Sequence, residues 1–310
     1  MRNRLVLILT NCTNRKRGTI PRRLCARTLP RSTYKVVCAE WVKRLDEAPQ
    51  HYVAEELYCG RAVTETLQAA QGLSAEVVFL SAGLGVVSQT DRVPAYNLTS
   101  SIGFPDSIKT RLNEPYSPMR WWRELSIARG TRNALARIVR DRDPDLVLAV
   151  LSASYLGMVG EELQRLQPQA RQNLRIIGPR RAEEVPEGLR EHWLPYDWRL
   201  DNPDTGFNGT TADFPHRALR HFAEMPQNGI ALSARKHQRL VETALSRFAP
   251  YKHKQGAKAS DEEVLVVIGS LWSKCDGNRA RVLRELRAKS GIACEQGRFR
   301  RLADRFEGKI

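Results

Sequence analysis

The sequence predicts an α/β protein, a mostly parallel sheet flanked by helices, followed by a small basic all-α domain. Short apolar runs recur at Leu5–Thr10, Ala75–Ser81, Leu146–Ser152 and Leu174–Ile177. Each has the length of a strand, and the first is continuous enough to be buried on both faces. Segments of helical spacing separate the runs, and strands alternating with helices build parallel sheets. From Asp261 onward only helical periodicity remains.

In chain order, Leu5–Thr10 is a buried strand that ends in a polar knot, Asn11-Cys12-Thr13-Asn14, and then the cations Arg15, Lys16 and Arg17. "AEELYCGRAVTETLQAAQG", Ala54 to Gly72, reads as one helix with Gly72 as its stop signal. The second strand, Ala75–Ser81, follows. A long helix is expected over Met119–Arg140, ahead of the third strand. "GIALSARKHQRLVETALSRFAP" predicts a helix ending at Pro250, and "YKHKQGAKAS" a basic linker. Ser260 followed by Glu263 is a capping-box signature for the next helix. The composition shifts near Met225, so the expected domains are 1–225, α/β, and 226–310, helical and basic. Two short helices separated by "SGIA", the second starting near Cys294, predict a helix-turn-helix.

Charge narrows the function. The chain carries 50 Lys+Arg against 34 Asp+Glu, a formal net charge of +16, which attracts polyanions. Between Met225 and Ile310 there are 18 basic and 9 acidic residues, so the excess is concentrated there. Double-stranded DNA is the expected partner, with Arg298, Arg300, Arg301 and Arg305 on the second helix facing the duplex. No stretch approaches the roughly 20 apolar residues of a membrane span, and Leu5–Thr10 is too short for a signal-peptide core. A cytoplasmic protein without membrane partners is therefore expected. The six cysteines show no two-residue spacing, so neither a zinc site nor a disulfide framework is expected. No phosphate-binding glycine loop or dinucleotide fingerprint occurs, and no cofactor is expected.

Sites in open parallel sheets lie beyond the carboxyl ends of strands. Three successive strand ends here carry small polar groups: Asn11, Cys12 and Thr13; Ser81, Gly83 and Gly85, with Asp91 and Tyr96 in the loop that follows; and Ser152, Ser154 and Tyr155. Such residues suit hydrogen bonds to a flat polar ring, with stacking on Tyr155, better than metal chelation or a nucleophilic triad. A further segment, His192–Arg217, is long for a connection and rich in aromatics. It is read as a lid or wedge, with Trp193, Tyr196, Trp198 and Phe207 available for stacking and Asp197 or His216 for titration.

The stretches "LTNCTNRKR", "AEELYCGR" and "LSAGLGVVSQTDRVPAY" resemble the uracil-DNA-glycosylase-like superfamily. The similarity is to the glycosylase-like domain of archaeosine synthases and their bacterial relatives, and to anti-phage DNA glycosylases that remove α-glucosyl-hydroxymethylcytosine. It covers residues 4 to 100 by motif. It implies a monofunctional glycosylase that leaves abasic sites in phage DNA. Asn11 takes the place of the group that positions water at the sugar C1′, "SASY" the place of groups that engage DNA and the leaving base, and Tyr58 falls in the shared Leu-Tyr motif. Enzymes of this kind carry Asp at the first position or His in the second loop; this chain has neither. Either Asn11 orients water or Asp91 supplies the carboxylate that stabilises the sugar cation. Arg15, Lys16, Arg17 and Arg61 suit phosphate clamping, which offsets the cost of flipping a base. Two other readings stay open: a nucleoside or RNA-base glycosidase, and a non-catalytic regulator whose α/β domain senses a ligand.

Overall fold

The apolar run that opens the chain becomes β1 (Val6–Asn11) and lies at the centre of a sheet. Val6, Leu7, Ile8 and Leu9 are all fully buried. Successive strand residues point to opposite faces, so both faces are covered. Each such side chain contributes about 1.5–3 kcal/mol on burial. The computed structural model describes residues 4–226, 229–251 and 257–308. The chain divides into two units, Met1–Tyr251 and Lys252–Ile310.

In the first unit β1 is followed by α1 (Tyr34–Asp46), β2 (Tyr52–Val53), the single turn α2 (Ala54–Leu57), α3 (Arg61–Leu73) and β3 (Ala75–Ser81). The chain then folds back as β4 (Gly85–Ser88), and β5 (Arg92–Val93) pairs with β2. Helices α4 (Pro118–Ala128) and α5 (Ala134–Arg142) lead to β6 (Leu146–Val150). Helices α6 (Ala153–Gln164) and α7 (Pro168–Gln172) lead to β7 (Leu174–Ile177), and α8 (Phe214–Glu224) and α9 (Ala234–Leu245) complete the unit. The sheet order is β4-β3-β1-β6-β7. All neighbours are parallel except β4, which runs antiparallel on β3. Thr10 lies opposite both Phe79 and Val150, so β3, β1 and β6 end at one level. Helices cover the faces in two groups, α3 with α8, and α1, α4 and α6 in series.

All four expected strands are present, and the differences have local causes. The helix expected from Ala54 breaks at Gly60, whose φ of +107° only glycine adopts readily. Gly72 lies inside α3, and the stop is Ser74 in the left-handed region. The helix expected over Met119–Arg140 is two, because Gly130 and Asn133 both have positive φ. Helix α1 went unpredicted, although Tyr34, Val37, Cys38, Trp41, Val42 and Leu45 repeat at helical spacing and form its buried face.

The domain boundary falls at residue 251 rather than 225. Helix α9 belongs to the first unit, where Val241 and Leu245 join the core and Arg175 Nε donates to His237 Nδ1 at 2.9 Å. The second unit contains α10 (Asp261–Trp272), α11 (Arg279–Ala288) and α12 (Gln296–Glu307), packed around Val264, Ile268, Val282, Leu286, Phe299 and Leu302. Ser260 and Glu263 form the expected reciprocal capping box. Residues 289–295 connect α11 to α12, more than the roughly 3–4-residue turn of a helix-turn-helix. Of the expected basic linker, 252–256 lie outside the described residues.

Candidate functional site

Beyond β1 the backbone stays in register, Cys12 N–H donating to Leu80 C=O at 2.9 Å, and this lowers the Cys12 thiol into a group of tyrosines. The thiol lies 3.4 Å from the Tyr155 hydroxyl and 3.8 Å from that of Tyr96. Tyr96 also hydrogen-bonds Ser81 Oγ, and its hydroxyl is 3.0 Å from that of Tyr58. Ser81 Oγ accepts the backbone N–H groups of Gly83 and Leu84 at 3.1 and 3.0 Å, closing the β3–β4 turn. Burial first, and the nearby Cys12 second, push the hydroxyls of Tyr58, Tyr96 and Tyr155 well above the usual tyrosine range, so all three are neutral.

The chain after Cys12 is stitched to the turn that follows α2. Arg17 N–H donates to Leu57 C=O and Cys59 N–H to Arg15 C=O, at 2.8 and 3.1 Å. The Thr13 hydroxyl lies 2.8 Å from Arg15 O and 3.1 Å from Cys59 O. Lys16 is thereby turned inward. Its Nζ donates to Thr13 C=O at 3.0 Å and sits 4.3 Å from the Tyr96 ring centre. Burial lowers the Lys16 pKa, while the neighbouring Cys12, Cys59 and Asp106 act the other way. Arg15 and Arg17, on either side, are exposed.

On the rim, half-buried Asn11 links two strand ends: its Oδ1 accepts Ser152 N–H at 3.4 Å and its Nδ2 donates to Cys12 C=O at 3.3 Å. Ser152 Oγ accepts Tyr155 N–H at 3.4 Å and so caps α6, and Ser154 is exposed on the first turn of that helix. The structure thus brings together Asn11, Cys12, Thr13, Lys16, Tyr58, Ser81, Tyr96, Ser152 and Tyr155.

Other expectations are corrected. Asp91 is not in this group. It is an exposed turn residue whose Oδ2 accepts Ser88 N–H at 2.8 Å, and Ser88 pairs with Val78, three residues or about 10 Å before the strand end at Ser81. The residues expected to line a base pocket instead fill it: Tyr96 is 0% exposed and Tyr155 9%, so Tyr155 presents no stacking face. Gly83 makes room for a side chain rather than a ligand, since a Cβ there would lie 2.5 Å from the Tyr96 ring. Gly85, at φ +80°, serves the hairpin. Arg61 is already engaged, its Nε 3.1 Å from Glu65 and 3.8 Å from Asp213 and its Nη2 donating to Asn208 C=O.

The segment 192–217, expected to be a lid or wedge, is built of short 3-10 turns that lead into α8. Tyr196 and His216 are buried and Trp193 and Phe207 pack against the core, leaving Trp198, at 40%, the most exposed of its aromatics. It is tied by Arg217, fully buried, whose guanidinium meets Asp213 at 2.7 Å and Asp201 at 2.9 Å and also donates to the carbonyls of Phe207 and Thr210. In the second unit Arg298 pairs with Asp261 at 2.6 Å, whereas Arg300, Arg301 and Arg305 are exposed along α12.

Sequence reasoning missed two indoles that hold the site's turn, Trp41 donating to Gly83 C=O and Trp121 to Ala82 C=O, each at 2.7 Å. The periodicity of α1 would have found the first. A cavity of about 840 Å³ lies elsewhere, near the start of β7, lined by Asn173, Arg175, His192 and Arg235 among others. Among the described residues no three His, Cys, Asp or Glu side chains are grouped to hold a metal, and no helix is long and apolar enough to cross a membrane. No family model matches this chain, and neither does any curated protein or solved structure.

Proposed function

We propose that the first unit is a DNA glycosylase of the uracil-DNA-glycosylase-like kind. It excises glucosylated hydroxymethylcytosine from phage DNA, leaving abasic sites as an antiviral defence, and the second unit holds the duplex. The observation that carries this reading is the Asn11–Ser152 link across adjacent parallel strand ends, on a rim flanked by exposed Arg15 and Arg17 in a chain of net charge +16. Asn11 retains acceptor capacity on Oδ1 to orient a water toward C1′. No carboxylate of the chain is assigned to the sugar cation, because Asp91 is remote; the phosphates of the DNA take that part. On this reading the extruded base lies on the rim above the neutral tyrosines, where Thr13, Ser152 and Ser154 are available to the hydroxyls of its sugar. Discrimination against a base without the sugar then comes from the hydrogen bonds to its hydroxyls that such a base does not make.

The test uses otherwise identical duplexes carrying cytosine, methylcytosine, hydroxymethylcytosine or its α-glucosylated form, treated with an abasic-site lyase after incubation. Breaks in the glucosylated duplex alone are expected. Equal cleavage of the unglucosylated duplex rejects the assigned substrate, and tight binding with no base released from any duplex favours a non-catalytic regulator.

A further inference from the structure

Lys16 is not placed like a phosphate clamp. Of the 50 cations of this chain only 11 are lysines, and this one interrupts a run of arginines. Its neighbours Arg15 and Arg17 point to solvent, but its own amine is held inward over Tyr96, and among the described residues it has no carboxylate within ion-pair distance. Its single hydrogen-bond acceptor is the Thr13 carbonyl, and the backbone pairing of Lys16 with Tyr58 fixes where it sits. A guanidinium would serve phosphate better and stays charged; an amine in a partly desolvated place has a free lone pair for part of the time. Burial does lower the pKa of this amine.

We propose that Lys16 is a nucleophile that forms an imine with C1′ of an abasic deoxyribose and nicks the strand there. This activity rests on the glycosylase reading for its place in a reaction sequence, since excision generates the aldehyde, but it is chemically separate from excision. The neutral Nζ adds to the aldehyde carbon of the ring-opened sugar. The carbonyl oxygen then leaves as water, taking both amine hydrogens, and a C=N bond replaces C=O. Protonation of the imine acidifies C2′–H. Loss of that proton to solvent forms the C2′–C3′ double bond and expels the 3′ phosphate as the C3′–O bond breaks. Water hydrolyses the imine and returns the amine. No oxidant, reductant or metal enters the sequence. The neutral tyrosines around Lys16 supply no counter-ion, and among the described residues no carboxylate lies within ion-pair distance of its amine.

The experiment uses the full chain and a duplex with one chemically installed abasic site, so no prior excision is required. Sodium borohydride added during incubation reduces the imine to a stable amine, and a denaturing gel reads the covalent protein–DNA band. Wild type is expected to trap, with the adduct mapped to Lys16 by mass spectrometry. Lys16→Arg keeps the charge and the place over Tyr96 and should trap at least tenfold less, whereas Lys109→Arg should trap normally. No band with wild type, undiminished trapping by Lys16→Arg, or an adduct mapped to another amine overturns the proposal. The wild-type mapping stands even if the variant folds poorly. Base release from glucosylated DNA is scored separately: release without trapping overturns the imine alone, and trapping without release overturns the glycosylase reading and leaves the nicking activity.

Discussion

Replacing Arg217 with Met tests whether segment 192–217 is a fixed part of the first unit. The wild-type guanidinium is fully buried and meets two carboxylates, Asp213 at 2.7 Å and Asp201 at 2.9 Å. Methionine fills much of the volume but leaves both acids without that partner. Removing one member of a buried ionic network costs about 3–5 kcal/mol. The lower end applies here, because Asp201 keeps Arg180 at 2.7 Å and Asp213 keeps the Thr210 N–H at 2.9 Å. At about 2–4 °C per kcal/mol for a unit of this size, a loss near 3 kcal/mol lowers Tm by roughly 6–12 °C. Urea unfolding followed by tryptophan emission should show the same loss, with part recovered in Arg217→Met/Asp201→Asn. Burial opposes ionisation of Asp201, but Arg180 and Arg217 outweigh it and hold its pKa low. Its contribution is therefore present above the ordinary carboxylate pKa and vanishes as the pH falls through the lowered value, so the variant should differ least from wild type in strong acid. A loss below about 1 kcal/mol at pH 7 would show that the network does not hold the segment.

Four further outcomes are expected. His216 is held neutral by burial, its pKa brought down to about 4, so stability should decline as the pH falls from about 6.5 to about 4, by up to roughly 3 kcal/mol for this residue; Tm against pH should be flatter over that range in His216→Gln. Gly83→Ala drives a methyl into the Tyr96 ring and should cost about 1–3 kcal/mol, whereas Gly72→Ala, with open space inside α3, should gain about 0.5–1 kcal/mol; chemical denaturation of the two variants reads the contrast. Asn11→Ala should slow base release at least tenfold with DNA affinity unchanged, and full activity would remove Asn11 from the reaction. Changing Arg300, Arg301 and Arg305 to Ala should reduce the slope of log affinity against log salt by about 2.7 if all three meet phosphates, and an unchanged slope assigns α12 to another task.

The four parallel strands were legible because both faces of each are covered and the pattern is continuous. β4 was not, because four residues of "GVVS" beside a glycine turn look the same in a loop and in an edge strand. The level of the site was legible in the polar knot after β1, but its depth was not. Nothing in the spacing of Tyr58, Tyr96 and Tyr155 tells that three hydroxyls and one thiol satisfy one another and so can be packed inward instead of facing a ligand. Asp91 failed for a topological reason: β4 runs back along β3, carrying a residue only ten positions past Ser81 toward the opposite end of the sheet.

The placement of β1 also governs how the chain comes into being. Of the five strands of this sheet β1 comes earliest in chain order yet lies in the middle, and Val6 finds its neighbours only at Ala75 and Leu146. At about 5–20 residues per second, the ribosome needs on the order of 7–30 s to deliver the second of them. Through that interval an apolar strand is present without both partners, and pairings this distant in sequence form slowly. Early expression yield should therefore depend on what shields residues 5–10 during synthesis, and a substitution in β6 should affect aggregation of nascent chains before it affects any property of the finished protein.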